Sequence, residues 1–130
     1  MPSEPLSGPL GILRMSGAHD RAHYAFVVAS GAAALGRETV LFATNLGCHA
    51  LFQDWSGLRD ADRDARIQTA GVAGLGMLRD ACMEMGVRMI ACEAGLRAEN
   101  LDAAALLPGV EIAGIATFLS AIGTGQIVTI

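Results

Sequence analysis

GVRMIACEAG, residues 86–95, is the stretch that decides the fold of this chain. It contains a short apolar run of strand length that ends at Cys92, and such a run is typical of a parallel sheet covered on both faces. Cys92 then falls at the carboxyl end of the strand, which is the edge where open α/β sheets bind ligands. If residues 94–100 turn helical, the sulfur also lies near a helix N-terminus, whose partial positive charge favours a thiolate. The stretch therefore predicts a thiol site.

The composition of the whole chain narrows the classes of function. Its 130 residues are 52% hydrophobic, with a mean hydropathy of +0.44 and a formal net charge of −4. The acidic balance argues against nucleic acids and anionic membranes as partners. All nine basic residues are arginine, which excludes a Walker A phosphate loop and Schiff-base chemistry because both need a lysine amine. The high hydropathy indicates a sheet buried on both faces, further surface hidden in an oligomer, or both.

Targeting features are missing from the sequence pattern. Residues 1–9 have neither a basic region nor a long apolar run, so we expect no secretory signal there. Residues 112–130 carry no charge, but three glycines and five polar side chains interrupt them, so we expect no membrane span. An odd number of cysteines without an export signal favours a reduced, cytoplasmic setting with at least one free thiol.

Strand and helix patterns alternate along residues 10–130, which we assign to a single domain after an extended tail at 1–9. Strands are predicted at 10–15, 38–44, 87–92, 110–115 and 126–130. Helices are predicted at 20–35, 50–53, 67–85, 96–107 in one or two pieces, and 116–122, with a charged, solvated loop at 54–66. This alternation implies parallel pairing with right-handed crossovers. The predicted fold is a three-layer α/β/α sandwich around a mainly parallel five-stranded sheet.

Two residues in the middle of the chain are candidates for the core. The apolar stripe of the predicted 67–85 helix consists of Val72, Leu75, Leu78, Cys82 and Met85. Cys82 is therefore expected to be a buried structural residue. Trp55 lies in the charged loop and is either a partner contact or a cover for the core.

Further candidate site residues lie in the turns after the first three predicted strands. In a parallel sheet these turns open at the same edge, so we expect them to approach Cys92. The candidate pocket residues are Ser16, His19, Asn45, Cys48 and Glu93. Glu93 opposes the helix-terminus effect if its side chain faces the same way as that of Cys92, because a neighbouring carboxylate raises the pKa of a thiol. Arg88 and Arg97 are candidate compensating cations.

Two patterns resemble metal sites without completing one. His19 and His23 would share one face of a helix, but His19 is predicted in the turn and no third ligand stands at a motif spacing. Asp60, Asp62 and Asp64 imitate the start of a calcium loop, whose sixth and twelfth positions are here alanine and glycine instead of glycine and glutamate. We therefore expect no metal and no cofactor.

Several of these segments together resemble the DsrE/DsrF-like family. The resemblance is carried by the strand at 38–44 with its Gly47 turn, by residues 86–92 and 101–107, and by GVEIAGIATFL at 109–119. It extends from about residue 10 to the end of the sequence. It implies a small α/β/α sandwich that assembles into homo-oligomeric trimers or hexamers. It also implies a sulfur relay, in which a cysteine matched by Cys92 carries a persulfide between partner proteins.

Three functional hypotheses remain open from the sequence. The first is a small cytoplasmic sulfur carrier or sulfurtransferase that uses a persulfide on Cys92. The second is a non-catalytic oligomeric module that binds a small ligand and in which Cys92 is structural. The third is a redox switch in which Cys92 pairs with Cys48.

Overall fold

The computed structural model describes residues 8–130, so most of the tail predicted at 1–9 lies outside the described residues. Within that range the strands are β1 Leu10–Arg14, β2 Thr39–Ala43, β3 Arg88–Cys92, β4 Glu111–Ala113 and β5 Gln126–Thr129. The α-helices are α1 His19–Ala34, α2 Arg63–Thr69, α3 Leu75–Glu84, α4 Glu93–Ala98 and α5 Ile115–Ile122. Three 3₁₀ helices cover Asn45–Leu51, Trp55–Gly57 and Ala103–Ala105.

The five strands form one sheet in the order β4-β3-β2-β1-β5, and every neighbouring pair is parallel. This confirms the predicted α/β/α sandwich with a five-stranded sheet. Ala43 of β2 pairs with Arg14 on one side and with Ala91 on the other. The carboxyl ends of β1, β2 and β3 are therefore level at one edge of the sheet, where the segments that follow them meet.

Side chains on the two faces of the sheet belong to two separate apolar clusters. Along β3, Met89 and Ala91 join the larger cluster, which includes α1 and α3. Ile90 and Cys92 join the smaller one, because successive side chains of a strand point to opposite faces. The helical residues of the smaller cluster come from α5, where Phe118 stacks on Phe42 with ring centroids 5.1 Å apart. Cys92 therefore points to the more thinly covered face.

The predicted long helix at 67–85 is wrong, because the chain breaks between α2 and α3. Gly71 adopts a left-handed conformation with φ of 84°, which ends the first helix. Gly74 then lies so close to α2 that a β-carbon would stand 2.7 Å from Asp64 Oδ2. On the predicted stripe, Leu75 and Cys82 are buried but Val72 is exposed. Cys82 lies in the core, as predicted, and its Sγ donates to the Phe26 carbonyl at 3.5 Å.

Residues 54–66 are mostly exposed, as predicted, but they do not form a loop throughout. They contain the 3₁₀ helix Trp55–Gly57 and the start of α2. Asp64 is only 5% exposed, because its carboxylate binds the N-terminus of α3 through the Leu75 N–H at 2.8 Å. Trp55 packs against the core, with its ring 5.7 Å from that of His19. Trp55 therefore covers the core.

Other boundaries differ by a few residues. The short helix predicted at 50–53 is instead the 3₁₀ helix Asn45–Leu51, which begins directly after the β2 turn residue Thr44. The strand predicted at 110–115 is reduced to the three residues of β4, since α5 already begins at Ile115. Among the described residues, the helices are all too short or too polar to cross a bilayer.

Candidate functional site

Cys92 is the last residue of β3 and the N-cap of α4. Its Sγ accepts a hydrogen bond from the Gly95 N–H at 3.4 Å, in place of the oxygen that usually caps a helix. The residue is 7% exposed and packs on the α5 side of the sheet. An N–H donor holds a negatively charged acceptor more strongly than a neutral one. The local structure thus fixes the sulfur and offers a donor to negative charge on it.

The start of α4 is pressed against the turn that follows β2. A β-carbon on Gly95 would collide with Thr44 Oγ1 and with the backbone nitrogen of Asn45. Asn45 itself adopts φ of 52°, a left-handed conformation that asparagine tolerates better than most residues. The structure therefore brings the Asn45 turn and the Cys92 segment together at one edge.

Cys48 lies in the adjacent 3₁₀ helix, close to the backbone of Cys92. Its side chain is fully buried, and its Sγ donates to the Ala43 carbonyl at 3.4 Å. Burial raises the pKa of the Cys48 thiol to about 12, against a smaller opposing contribution from the Cys92 backbone N–H. A thiol with this pKa is almost entirely protonated near neutral pH, so Cys48 is a poor nucleophile there.

Glu93 does not stand alone beside the thiol. Its carboxylate pairs with Arg97, one helical turn further along α4, at 2.9 Å. Arg88 lies at the other end of β3 from Cys92. There it makes two hydrogen bonds of 2.5 and 2.8 Å to Glu111 of β4. Of the two predicted compensating cations, Arg97 partners Glu93 and Arg88 does not.

An open cavity of about 520 Å³ lies next to the Cys92 segment. It is lined by Glu93, Ala94, Arg97, Ala98 and Gly114. Gly114 follows Ala113, the residue of β4 that pairs with Cys92. Cys92 itself is not among the lining residues, so the cavity gives access to the start of α4 and not directly to the sulfur.

His19 belongs to a different cluster from Cys92. It is the first residue of α1, fully buried, and its Nε2 lies 2.7 Å from Asp64 Oδ1. Arg63 Nη1 lies 3.3 Å from Nδ1 of the same ring. Because arginine only donates, Nδ1 accepts and Nε2 carries the proton that is given to Asp64. His19 thus joins α1 to α2.

The histidine pair is used for packing. His23 stacks on His19 with ring centroids 5.9 Å apart and donates from Nε2 to the Ala73 carbonyl at 2.8 Å. Within residues 8–130, histidine, cysteine and acidic side chains form no group of three placed to hold a metal. Ser16 lies apart from both clusters and lines a cavity of about 160 Å³ beside Arg14.

The structural roles of two residues, Asp64 and Arg14, were not predicted from the sequence. Asp64 had no local signal, because its partner His19 is 45 positions away. Arg14 did have one: strand alternation places it on the same face as Leu10 and Ile12, which are buried in the core. A cation on the core side of a strand is unusual and points to a specific environment.

Solved structures resemble this fold over almost its whole length. The crystal structure of the ychN protein from E. coli matches with a TM-score of 0.72 at 11% identity. The protein of unknown function MTH1491 from Methanobacterium thermoautotrophicum matches with a TM-score of 0.59 at 17% identity. Each match covers 95% of this chain and 100% of the other. At these identities the likeness establishes the fold alone.

The sequence comparisons bear on the family of the chain as well as on its fold. Sulfur carrier protein DsrE2 from Allochromatium vinosum is 29% identical over 150 aligned positions, which cover 91% of this chain and 94% of that protein. The model of the DsrE/DsrF/DrsH-like family matches residues 53–129, which is more than half of the chain and includes β3, Cys92 and α4. With the sheet order and the Cys92 segment described above, this match shows that the chain belongs to the DsrE/DsrF/DrsH-like family.

Proposed function

We propose that this protein is a sulfur carrier that holds sulfur as a persulfide on Cys92. The observation that carries the proposal is the placement of Cys92 at the carboxyl end of β3 with the Gly95 N–H donating to its sulfur. The A. vinosum relative, which is named a sulfur carrier, supports the same role. Of the three cysteines, Cys92 is the one that is not completely buried.

The proposed chemistry is a pair of thiol exchanges with no net oxidation. The Cys92 thiolate attacks the outer sulfur of a donor persulfide, which forms Cys92–S–SH and releases the donor as its thiolate. An acceptor thiolate then attacks the outer sulfur of Cys92–S–SH and releases the Cys92 thiolate. The Cys92 sulfur is the nucleophile in the first step and the leaving group in the second. The Gly95 N–H stabilises its negative charge in both.

Access to the sulfur is the second part of the proposal. A side chain that is 7% exposed is reached by a partner protein only after a local movement. We assign this movement to the exposed side chains of Glu93 and Arg97 at the edge of the neighbouring cavity, while Gly95 stays packed against Thr44 and keeps its hydrogen bond to the sulfur. Exposed side chains change rotamer readily. The cavity between α4 and Gly114 is the side from which we expect a relay partner to approach.

The protein is further proposed to act as a cytoplasmic homo-oligomer, a trimer or hexamer. Three apolar side chains at and beside α5 are about half exposed: Ile112 at 47%, Ile115 at 48% and Leu119 at 50%. Ile115 and Leu119 lie one turn apart on α5, whereas Ile112 of β4 pairs with Ala91 and so points to the other face of the sheet. A contact between subunits would bury this apolar surface. The three free cysteines are compatible with a reducing compartment.

Intact-mass spectrometry after treatment with a sulfane-sulfur donor tests the proposal. We expect the wild type to gain the mass of one sulfur atom, and a reductant to remove it. Cys92→Ser should gain nothing, whereas Cys48→Ser, the matched control, should gain as much as the wild type. An unmodified wild type, or equal addition to Cys92→Ser, would refute the proposal.

The alternative function is a non-catalytic module that binds a small ligand, with Cys92 as a structural residue. The burial of the sulfur and its capping bond to Gly95 favour this alternative. The same experiment separates the two, because a structural Cys92 takes up no sulfur while its replacement lowers the free energy of unfolding.

A further inference from the structure

The ion pair between Glu93 and Arg97 stands at the edge of the cavity beside the Cys92 segment. Both side chains line this cavity of about 520 Å³, and their charged atoms are 2.9 Å apart. The side chains of Glu93 and Arg97 are 56% and 80% exposed, so the pair contributes little to stability. The pair instead determines which charge a molecule meets as it approaches the sulfur from the cavity.

Glu93 is close to the sulfur whichever way its side chain turns. It follows Cys92 directly in the chain, so the two Cα atoms are about 3.8 Å apart. With both side chains extended in opposite directions, standard bond lengths put the carboxylate at most about 11 Å from Sγ. Charges in water act over a screening length of about 10 Å at about 0.1 M salt. The charge at position 93 therefore influences reactions at Cys92.

The rest of the cavity lining is uncharged and borders Cys92 on two sides. Ala94 and Ala98 belong to the helix that Cys92 caps. Gly114 follows Ala113, which pairs with Cys92 in the sheet. The two members of the ion pair are therefore the charged groups that a sulfur donor meets at this entrance.

The surroundings of the ion pair are acidic. Between residues 93 and 105 the sequence contains three acids and one base. The base, Arg97, is paired with Glu93. The other two acids, Glu99 and Asp102, are exposed and take part in none of the ion pairs of the described residues. An anion that approaches the cavity therefore finds its nearest cation already neutralised and meets a net negative charge.

We infer that the Glu93–Arg97 pair makes Cys92 selective against sulfur donors that carry negative charge, such as thiosulfate and inorganic polysulfide. The inference rests on the proposed function, since it concerns the donor in the first thiol exchange. The natural donor then presents its sulfur in uncharged or basic surroundings. Glu93 acts by neutralising Arg97, and it takes no part in the exchange itself.

Two disulfide reagents of different charge test the inference: dithiobis(nitrobenzoate), which is a dianion, and dithiodipyridine, which is neutral near neutral pH. With either reagent the Cys92 thiolate attacks one sulfur of the disulfide, forms a mixed disulfide and releases an absorbing aromatic thiolate. The measured quantity is the ratio of the two rate constants, neutral over anionic. A change in the nucleophilicity of the thiol affects both rates and leaves this ratio unaltered. Cys92→Ser supplies the blank.

Glu93→Gln should lower the ratio, because it frees Arg97 to attract the dianion. Arg97→Gln should raise it, because Glu93 is then uncompensated. We expect changes of roughly fivefold at about 10 mM salt, falling to about twofold at about 150 mM, because salt screens exposed charges. Sulfur uptake from inorganic polysulfide, followed by intact mass, should likewise be faster in Glu93→Gln than in the wild type.

Asp62→Asn and Arg66→Gln are the matched controls, because they change the net charge by the same amounts in another exposed pair of the same spacing. Both should keep the ratio of the wild type. A ratio that moves in neither Glu93→Gln nor Arg97→Gln would overturn the inference. Equal shifts in the controls would do the same, because they would reduce the effect to net charge, as would a wild-type thiol that the neutral reagent does not reach.

Failure of this inference and failure of the proposed function give different results. If the wild type gains sulfur but the ratio does not respond to Glu93→Gln, the selection by charge fails and the sulfur carrier stands. If the ratio responds but the wild type gains no sulfur from any donor, the sulfur carrier fails and the selection by charge at the thiol stands.

Discussion

Gly95 lies against Thr44 so closely that a β-carbon on residue 95 would collide with the Thr44 hydroxyl oxygen. This contact joins the helix that Cys92 caps to the turn after β2. We predict that Gly95→Ala lowers the free energy of unfolding by about 1–3 kcal/mol, because the added methyl group overpacks the contact. Urea unfolding measures the change.

Gly31→Ala is the control for this substitution. Gly31 lies inside α1, and a β-carbon there would meet no atom within 4 Å. Alanine at an open helical position stabilises a protein by about 0.5–1 kcal/mol. If both variants shift stability equally, the close contact at Gly95 is not what the position requires.

Asp64 is predicted to be a main source of acid sensitivity. Burial would raise its pKa, but hydrogen bonds from the Leu75 N–H, His19 and Gln68 outweigh burial and hold the pKa below the ordinary 3.8. A carboxylate with a lowered pKa stabilises the fold above its unfolded-state pKa and loses that contribution as pH falls through the folded value. Stability attributable to Asp64 should therefore be complete above pH 3.8 and decline below it.

Asp64→Ala should cost about 2–3 kcal/mol at neutral pH, since it leaves the buried His19 Nε2–H and the Leu75 N–H without their acceptor. Asp62→Ala is the control, because that side chain is 82% exposed and its pair with Arg66 is long at 3.5 Å. We expect a change below about 0.5 kcal/mol for the control. Thermal unfolding of both variants as a function of pH checks the prediction, and a similar cost for the two would contradict it.

Alkylation should distinguish the three thiols. Burial raises the pKa of Cys48 to about 12 and that of Cys82 to about 11, and both side chains are fully buried. Because the thiolate is the reactive form, iodoacetamide should label the native protein at Cys92 first near neutral pH. Peptide mass mapping locates the label.

Unfolding in denaturant should expose all three thiols, and Cys92→Ser should abolish labelling of the folded protein. As pH rises, Cys82 should become reactive before Cys48, provided that the fold persists. Labelling of Cys48 as fast as Cys92 in the native protein would show that the 3₁₀ helix around it opens readily.

Leu119→Glu should dissociate the proposed oligomer. A carboxylate in the centre of the half-exposed face of α5 is costly to bury without a partner. Light scattering after size-exclusion chromatography should give the monomer mass for this variant. Leu35→Glu is the control: Leu35 is 89% exposed at the end of α1, so its oligomer should remain intact. A wild type that is already monomeric would contradict the proposed assembly.

Much of the fold follows from local patterns, and the remainder depends on distant partners. The alternation of strands with helices, and the helix after Cys92, are encoded in short apolar runs and turns. Both features were therefore predictable from the sequence. The break between α2 and α3 was missed because it depends on Asp64 reaching back to the Leu75 N–H across the intervening glycines. No periodicity within a single segment contains that contact.

In the candidate site, too, local features were predictable from the sequence and contacts between distant residues were not. The position of Cys92 at a strand end was predictable, as was the proximity of the turn after β2. The separation of His19 from Cys92 was not, because its partner Asp64 lies in a segment whose charges imitated a solvated loop. The pairing of Glu93 with Arg97 depends on which way two exposed side chains turn, which only the structure shows.

The sheet order also bears on how the chain folds. β1 to β4 are added one after another toward one edge, whereas β5 returns by way of α5 to the opposite edge. The contact between Arg14 and Ile130 closes a loop of 116 residues, and β5 buries little of its own surface. Loop-closure entropy delays such contacts. We therefore expect β5 to dock last, so that the amides it shares with β1 exchange with deuterium earlier than those between β2 and β3.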